Sequence, residues 1–414
     1  MPDPSPRPVP DPLAPARLGP LTLRNRVVKA ATFEGMTPDA LVTDDLVEFH
    51  RRHAAGGIAM TTVAYCAVAP EGRTERRQIW MRPEAVPGLR RLTDAVHAEG
   101  AAACAQLGHA GPVADASSTG LPALAPQSRF SPVSLRRTRA ATAEDIVRVT
   151  RAHADAARLA VESGFDAVEL HFGHNYLASA FLSPKLNRRT DRYGGSLAHR
   201  AEVTRGIARA VRDAVGDRIA ITAKLNMKDG VPGGLGVDES LQVARWLQDD
   251  GGLDALQLTA GSSLLNPMYL FRGDAPLKEF AAQFPAPQRL GIRLFGDRFL
   301  RTYPYEDAYL LEHARRFRAA LDLPLTLLGG ITSLDTMERA MKEGFQFVAM
   351  ARALLREPDL VERIARDRTT PSLCIHCNRC MPTIYSGTHC PEKPEKPEKP
   401  EKPEKSEKTE KQGR

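Results

Sequence analysis

Between His171 and Tyr176 the chain presents two imidazoles and a phenol. The stretch AVELHFGHNY, 167–176, begins as a strand, with Ala167, Val168 and Leu170 suited to burial, and ends in His171, His174 and Tyr176. Imidazole and phenol are side chains that hold or deliver a proton. A second reactive group lies far downstream. Cys374, Cys377, Cys380 and Cys390, in CIHCNRCMPTIYSGTHC, are four of the six cysteines. In a cytoplasmic chain, thiols so clustered point to a metal centre before disulfides. C-x2-C-x2-C with a later fourth cysteine suits a [4Fe–4S] cluster held by thiolates. A closed tetrahedral zinc site and an empty remnant are the rival readings. Cys66 and Cys104 fall in expected strands and read as ordinary buried residues.

The elements that must position these groups alternate along the chain. Strand-like apolar runs occupy 24–31, 57–68, 101–108, 167–172, 218–226, 253–261, 323–330 and 345–352, with helical periodicity between them. Thr142 and Ser333 stand at helix N-cap positions, and several helices close on glycine. Strands without strict alternation suit a parallel sheet covered by helices. Eight such units predict an α/β fold of the (β/α)8 TIM-barrel type, with its chemistry at the C-terminal strand ends. His171, His174 and Tyr176 then lie on that rim. So do Thr32 after the first strand, Gln106 and His109 after the third, and Lys224 and Asn226 near the fifth. Gly329 and Gly330 end the seventh strand, and Ala351 and Arg352 end the eighth, where barrel loops often bind phosphate. That pairing suggests a phosphorylated cofactor across the mouth. No G-x-G-x-x-G occurs in a strand–turn–helix context, so no separate nicotinamide domain is expected.

Composition sets the remaining limits. The chain has 414 residues, 42% hydrophobic and 26% charged, with a formal net charge of +7. Its arginines are spread over expected helices, without a compact basic run and interleaved aromatics, so nucleic acid is not the expected partner. No apolar run approaches the roughly 18 residues of a spanning helix, and the proline-rich start is no signal peptide, so a soluble, cytoplasmic protein without membrane contact is expected. The expected organisation is a proline-rich tail at 1–14, a barrel at 15–370, a cysteine extension at 371–390 and a disordered PEK-repeat tail at 391–414.

LGPLTLRNRVVKAAT, QLGHAG, ELHFGHNYLASAFLSPKLNRRTDRYGGS and MARALLREPDL resemble the old yellow enzyme family of FMN-dependent NAD(P)H oxidoreductases. The resemblance runs from about residue 17 to 390 and implies a barrel holding FMN at its C-terminal rim. It assigns Gln106 to the flavin pyrimidine edge and Lys224, where arginine is usual, to the region of N1 and the C2 oxygen. Ala31 and Thr32 fall beside the flavin, with Phe33 where the family usually has Thr or Cys. Gly329, Gly330, Ala351 and Arg352 match the phosphate site. His171 and His174 match the pair that grips a substrate carbonyl oxygen, and Tyr176 matches the proton donor. The implied reaction is reduction of an activated, enone-like C=C bond by hydride from flavin N5, with NAD(P)H as electron donor. Pro112 stands where the family often has arginine, and the long stretch 266–321 is a candidate lining for the substrate mouth. The cysteine segment resembles the dienoyl-CoA reductase and trimethylamine dehydrogenase branch. That likeness implies an alternative: an iron–sulfur flavoprotein acting on a CoA thioester or an amine, passing electrons through the cluster to a partner protein. An oligomer is compatible with either reading.

Overall fold

Eight short parallel strands, nearly all of their residues buried, close on themselves in this computed structural model, which describes residues 9–131, 134–284 and 286–392. They are β1 (Val27–Lys29), β2 (Met60–Ala67), β3 (Ala102–Gly108), β4 (Ala167–Phe172), β5 (Ala220–Asn226), β6 (Ala255–Thr259), β7 (Leu325–Leu328) and β8 (Phe347–Met350). Each pairs with its neighbours in sequence, and β8 pairs with β1 to complete the ring. The expected barrel is therefore present, with each strand inside the run that forecast it. Parts of the two expected tails, residues 1–8 and 393–414, lie outside the described residues.

The barrel helices are α1 (Asp44–Ala55), α2 (Val86–Ala98), α3 (Ala143–Glu162), α4 (Leu197–Val215), α5 (Val237–Asp249), α6 (Leu311–Arg318), α7 (Leu334–Lys342) and α8 (Leu360–Arg366). Their starts follow local chemistry. Thr142 and Ser333 both form capping boxes, with Asp145 and Thr336 answering three residues on. Ser196, ending the RYGGS motif, accepts a hydrogen bond from the His199 N–H at the start of α4. Among the described residues, no helix is long and apolar enough to cross a membrane.

Strand pleating decides which side chains reach the site. On β4, Val168, Leu170 and Phe172 join the large apolar layer between sheet and helices, whereas Ala167 packs inside the barrel with Val28, Met60, Cys104, Ala220, Ala255 and Phe347. Above Ala167 on the same side come Glu169 and then His171. The floor is plugged by Leu18 and Leu23, from a hairpin of Ala16–Leu18 and Leu21–Leu23. Polar side chains entering the even strands tie down the preceding odd strands. Asp166 accepts from Ala103 N–H at 2.8 Å, Asp254 from Ile221 N–H at 2.7 Å, and Gln346 from Leu325 N–H at 2.9 Å. These bonds satisfy strand-end donors that have no ladder partner.

Asp254→Ala removes the Ile221 acceptor and the 2.9 Å pair with Arg212 together. A loss of about 1–3 kcal/mol is expected, read as a lower urea midpoint at unchanged slope. An unchanged midpoint would mean that water replaces the carboxylate without cost.

Candidate active site

After Gly173 the chain enters two consecutive left-handed residues, His174 at φ 57° and Asn175 at φ 59°. Neither is glycine, so the turn must be held by its surroundings. Asn226, at the end of β5, supplies the hold. Its Oδ1 accepts from the His174 N–H at 3.1 Å, and its amide donates to Asp229 at 3.0 Å and to the Gly261 carbonyl at 2.8 Å. Asp229 also takes the Asn175 amide at 3.1 Å and the Leu235 N–H at 2.9 Å. Burial pushes the Asp229 carboxyl up, against the pull of those donors. Asp229 was not singled out from the sequence; a lone acid three residues past a strand-end asparagine is a faint signal.

The turn brings three rings together. His171 stacks on Tyr176, ring centres 4.3 Å apart, and meets His174 edge-on at 5.3 Å. Tyr65 from β2 stands edge-on to both, 6.2 Å from His171 and 5.4 Å from Tyr176. Both imidazoles are neutral. Burial, aided by Lys224, holds His174 down to about 3 and His171 well below its ordinary value. Nδ1 of His171 accepts the Gly173 N–H at 3.2 Å, which puts the ring proton on Nε2. Nε2 of His174 pairs with the Thr259 hydroxyl at 2.9 Å, so with Thr259 donating, Nδ1 carries the proton. Burial pushes the Tyr176 phenol up to about 12, so it keeps its proton at neutral pH. The site thus offers the His171 N–H and the Tyr176 O–H as donors, joined by the Nδ1–H of His174 when Thr259 donates to its Nε2.

Below these rings lies Glu169, 4% exposed, on the barrel axis side of β4. Its Oε1 accepts from Gln106 Nε2 at 2.6 Å and pairs with Lys224 at 3.1 Å. Gln257 of β6, level with Lys224 in the strand register, has a buried amide nitrogen with no partner. A small apolar ring of Ala30, Leu328 and Ala349, joined by Ala351, closes the opposite side. Thr32 receives the Lys29 ammonium at 3.0 Å, and Lys29 reaches Glu34 at 3.4 Å. Burial raises that Glu34 carboxyl to about 7. Fixed donors, an unsatisfied amide and a floor of alanines suit a planar, polar-edged ring such as a flavin. Gln106, Lys224, Ala31 and Thr32 would hold it.

The β7 and β8 ends carry the residues expected at a phosphate site. Gly329 and Gly330 do take left-handed conformations, φ 97° and 72°. A side chain at Gly330 would lie 2.6 Å from the Ala308 nitrogen, so glycine is required by the 306–310 segment as well as by the turn. Arg352 was expected to supply a fork for phosphate oxygens, and part of that fork is engaged within the protein. Its Nη1 donates to the Arg272 carbonyl at 2.8 Å and to the Asn378 side chain. The remaining guanidinium N–H groups could still reach a phosphate.

Asn378 belongs to the cysteine segment, and its amide also binds the Asp274 carbonyl at 2.9 Å. His376 stacks on Tyr305 at 3.4 Å, and Gly273 lets the His376 carbonyl approach too closely for any side chain. At the far end of the segment, the Thr388 N–H donates to the Glu34 carbonyl at 2.7 Å and its hydroxyl to the Phe33 carbonyl. The segment therefore packs on both sides of the mouth. Its thiols are free, and burial raises Cys374 and pushes Cys380 up to about 12. Each of these two feels the charges of Cys377 and Cys390, so the four donors lie in one neighbourhood. Even so, among the described residues no group of three or more His, Cys, Asp or Glu is gathered as a metal site. The donor set suits a cluster; the side chains do not converge on one, and no chemical step is derived through it.

Residues 13–259 match the family model described as NADH:flavin oxidoreductase / NADH oxidase. The chain is 57% identical over 383 residues to the 4,4'-dithiodibutanoate disulfide reductase of Rhodococcus erythropolis, covering 92% of this chain and 95% of that protein. It is 29% identical over 356 residues to the multifunctional alkene reductase/demethylase OYE of Caballeronia cordobensis, covering 85% of this chain and 48% of the relative. It therefore spans nearly all of the first relative and about half of the second. Among solved structures, 2-naphthoyl-CoA reductase superposes with a TM-score of 0.79 at 24% identity, over 92% of this chain and 56% of that one.

The neutral histidines give the protein a defined response to acid. His174 and His53 are held down to about 3, His153 to about 4, and His50 and His171 well below their ordinary value, each by burial first. Unfolded, all five would take protons near 6.5, so the unfolded chain binds more protons across the window from about 3 to 6.5. Stability is therefore full above that window and falls as pH drops through it. Each histidine contributes up to about 1.4 kcal/mol per pH unit. Glu34, raised to about 7, acts in the opposite sense between 4.5 and 7, and the raised Asp229 carboxyl does so too, two groups against five. Urea midpoints should be distinctly lower at pH 5 than at pH 7.5; equal midpoints would mean that these rings protonate freely in the folded state.

Proposed function

Because the chain belongs to the NADH:flavin oxidoreductase / NADH oxidase family, we propose that it is an FMN-dependent NAD(P)H oxidoreductase reducing an activated, carbonyl-conjugated C=C bond of a small molecule. The observation that carries this reading is the assembly of His171, His174 and Tyr176 above Gln106 and Lys224 at one barrel mouth. Bound FMN would supply the redox chemistry, taking two electrons from NAD(P)H and delivering them to the substrate.

The protein's own contribution is polarisation and a proton. His171 Nε2–H and the free N–H of His174 are placed to donate to one carbonyl oxygen and to stabilise enolate charge as it develops. Their neutrality matters. A neutral imidazole donates without surrendering its proton, so the oxygen is held while the proton comes from elsewhere. Tyr176, protonated at neutral pH, is the donor to the α-carbon. Lys224, fixed by Glu169, places a cation where reduced flavin would carry negative charge. Gly329, Gly330, Ala351 and Arg352 are read as the phosphate end, with Arg352 shared between phosphate and the cysteine segment.

A second reading has its own support. The Rhodococcus relative, similar over almost its whole length, is named for reduction of an organic disulfide. Two electrons break an S–S bond and two protons complete two thiols, so the same donors would serve. Tyr176→Phe separates the roles. Reduction of cyclohexenone should fall by about 10²-fold or more, while reduction of FMN by nicotinamide stays near its original rate. Undiminished enone reduction would remove Tyr176 from the chemistry. Wild-type protein that reduces an aliphatic disulfide and not the enone would favour the second reading.

For the cysteines we infer a [4Fe–4S] cluster from the donor set. Anaerobically purified protein should carry about four irons with matching sulfide per chain. One zinc, or neither metal, would replace that assignment.

A further inference from the structure

The loop between β6 and α6 carries a cation that the chemistry above leaves unused. Arg272 lies among three phenol rings, 5.3 Å from the ring centre of Tyr269, 5.9 Å from Tyr303 and 5.4 Å from Tyr309. Lys228, on the loop after β5, stands 5.7 Å from the same Tyr269 ring. Two of the rings are themselves fixed. The Tyr303 oxygen accepts from the Asn266 amide at 2.7 Å, and the Tyr309 hydroxyl donates to the Leu270 carbonyl at 2.6 Å.

What this cage lacks is an anion. Among the described residues neither Arg272 nor Lys228 forms an ion pair within 4.0 Å, although arginines elsewhere in the chain are widely paired. The Arg272 Nε is buried without a hydrogen-bond partner. A guanidinium donor removed from water and left unsatisfied is destabilising unless a ligand completes it. Tyrosine faces hold the planar cation in place while leaving its edge N–H groups available.

The loop that carries Arg272 runs along the mouth from the catalytic turn to Arg352. The same loop begins beside the catalytic turn, where the Ser263 N–H donates to the His174 carbonyl at 3.1 Å. It ends with the Arg272 carbonyl accepting from Arg352 at 2.8 Å and from Asn378 at 3.3 Å. The backbone of Arg272 thus ties the mouth together, and its side chain is free for another task.

We propose that Arg272, with Lys228 beside it, binds a carboxylate of the substrate, making the enzyme selective for anionic acceptors. This rests on the reductase reading and narrows its substrate class. A cofactor phosphate is the other source of an anion of this kind, and the test separates the two. Holoenzyme is compared with Arg272→Gln, Arg272→Lys and Lys228→Gln on two probe pairs, 3-benzoylacrylate and its methyl ester, and 3,3'-dithiodipropanoate and its dimethyl ester. Apparent KM is measured alongside Kd, taken from the absorbance shift of bound flavin. FMN content, thermal midpoint and KM for NADH and NADPH are measured in parallel.

For Arg272→Gln, KM and Kd for the acids should rise about tenfold or more, corresponding to loss of one charge-assisted contact of about 1.4 kcal/mol. The esters should stay within about twofold, a smaller loss should follow Lys228→Gln, and Arg272→Lys should recover part of the preference. FMN content and nicotinamide KM should not move. Acids and esters weakened alike, or neither weakened, would overturn the proposal. Loss of FMN, or a raised nicotinamide KM with unchanged acid binding, would assign Arg272 to a phosphate instead. If the wild type turns over none of the probes, the reductase reading fails, and the acid-to-ester ratio of Kd still decides the carboxylate site.

Discussion

One buried carboxylate organises the mouth of this barrel. Glu169 takes Gln106 from β3 on one side and Lys224 from β5 on the other, joining three adjacent strands through their side chains. A carboxylate removed from water is tolerated only with such partners, and breaking either contact would leave charge or a strong acceptor unmatched. The two groups expected to address the flavin are therefore set at fixed height by the residue between them. Two positions further along β4 is His171, whose neutrality owes something to the same lysine. Floor, cation and proton-donor assembly form one electrostatic unit.

A second layer of order runs through Asn226 and Asp229. Their amide and carboxylate contacts hold the left-handed pair His174–Asn175, without which the second imidazole would not turn back toward Thr259. The rings themselves supply little binding to one another beyond packing. Their arrangement is dictated by backbone hydrogen bonds made one strand away.

The architecture and the three catalytic candidates were legible because both depend on short-range pattern. Apolar runs at barrel spacing and His171, His174 and Tyr176 at one strand end need no knowledge of distant contacts. Glu169, an acid inside an apolar strand, was not singled out, because its role depends on Gln106 and Lys224, 63 residues before it in one case. The Arg272 cage gathers rings from 269 to 309 on a loop of irregular structure, where no periodicity announces which side chains meet. Arg352 was assigned to phosphate by resemblance, whereas its bond to Asn378 arises from how the cysteine segment folds back. Spacing disclosed which donors that segment carries; it could not disclose where they would settle.

The contact of Thr388 with Phe33 and Glu34 spans 355 positions of sequence. Loop-closure entropy makes such a contact late to form, and a chain emerging from the ribosome cannot make it until Thr388 has been synthesised. The loop after β1, which carries Thr32, therefore lacks this contact until nearly the whole chain has been made. The segment is thereby a tether added last, laid over the loop after β1 on a rim whose Gln106, Glu169 and Lys224 are already joined by the barrel strands.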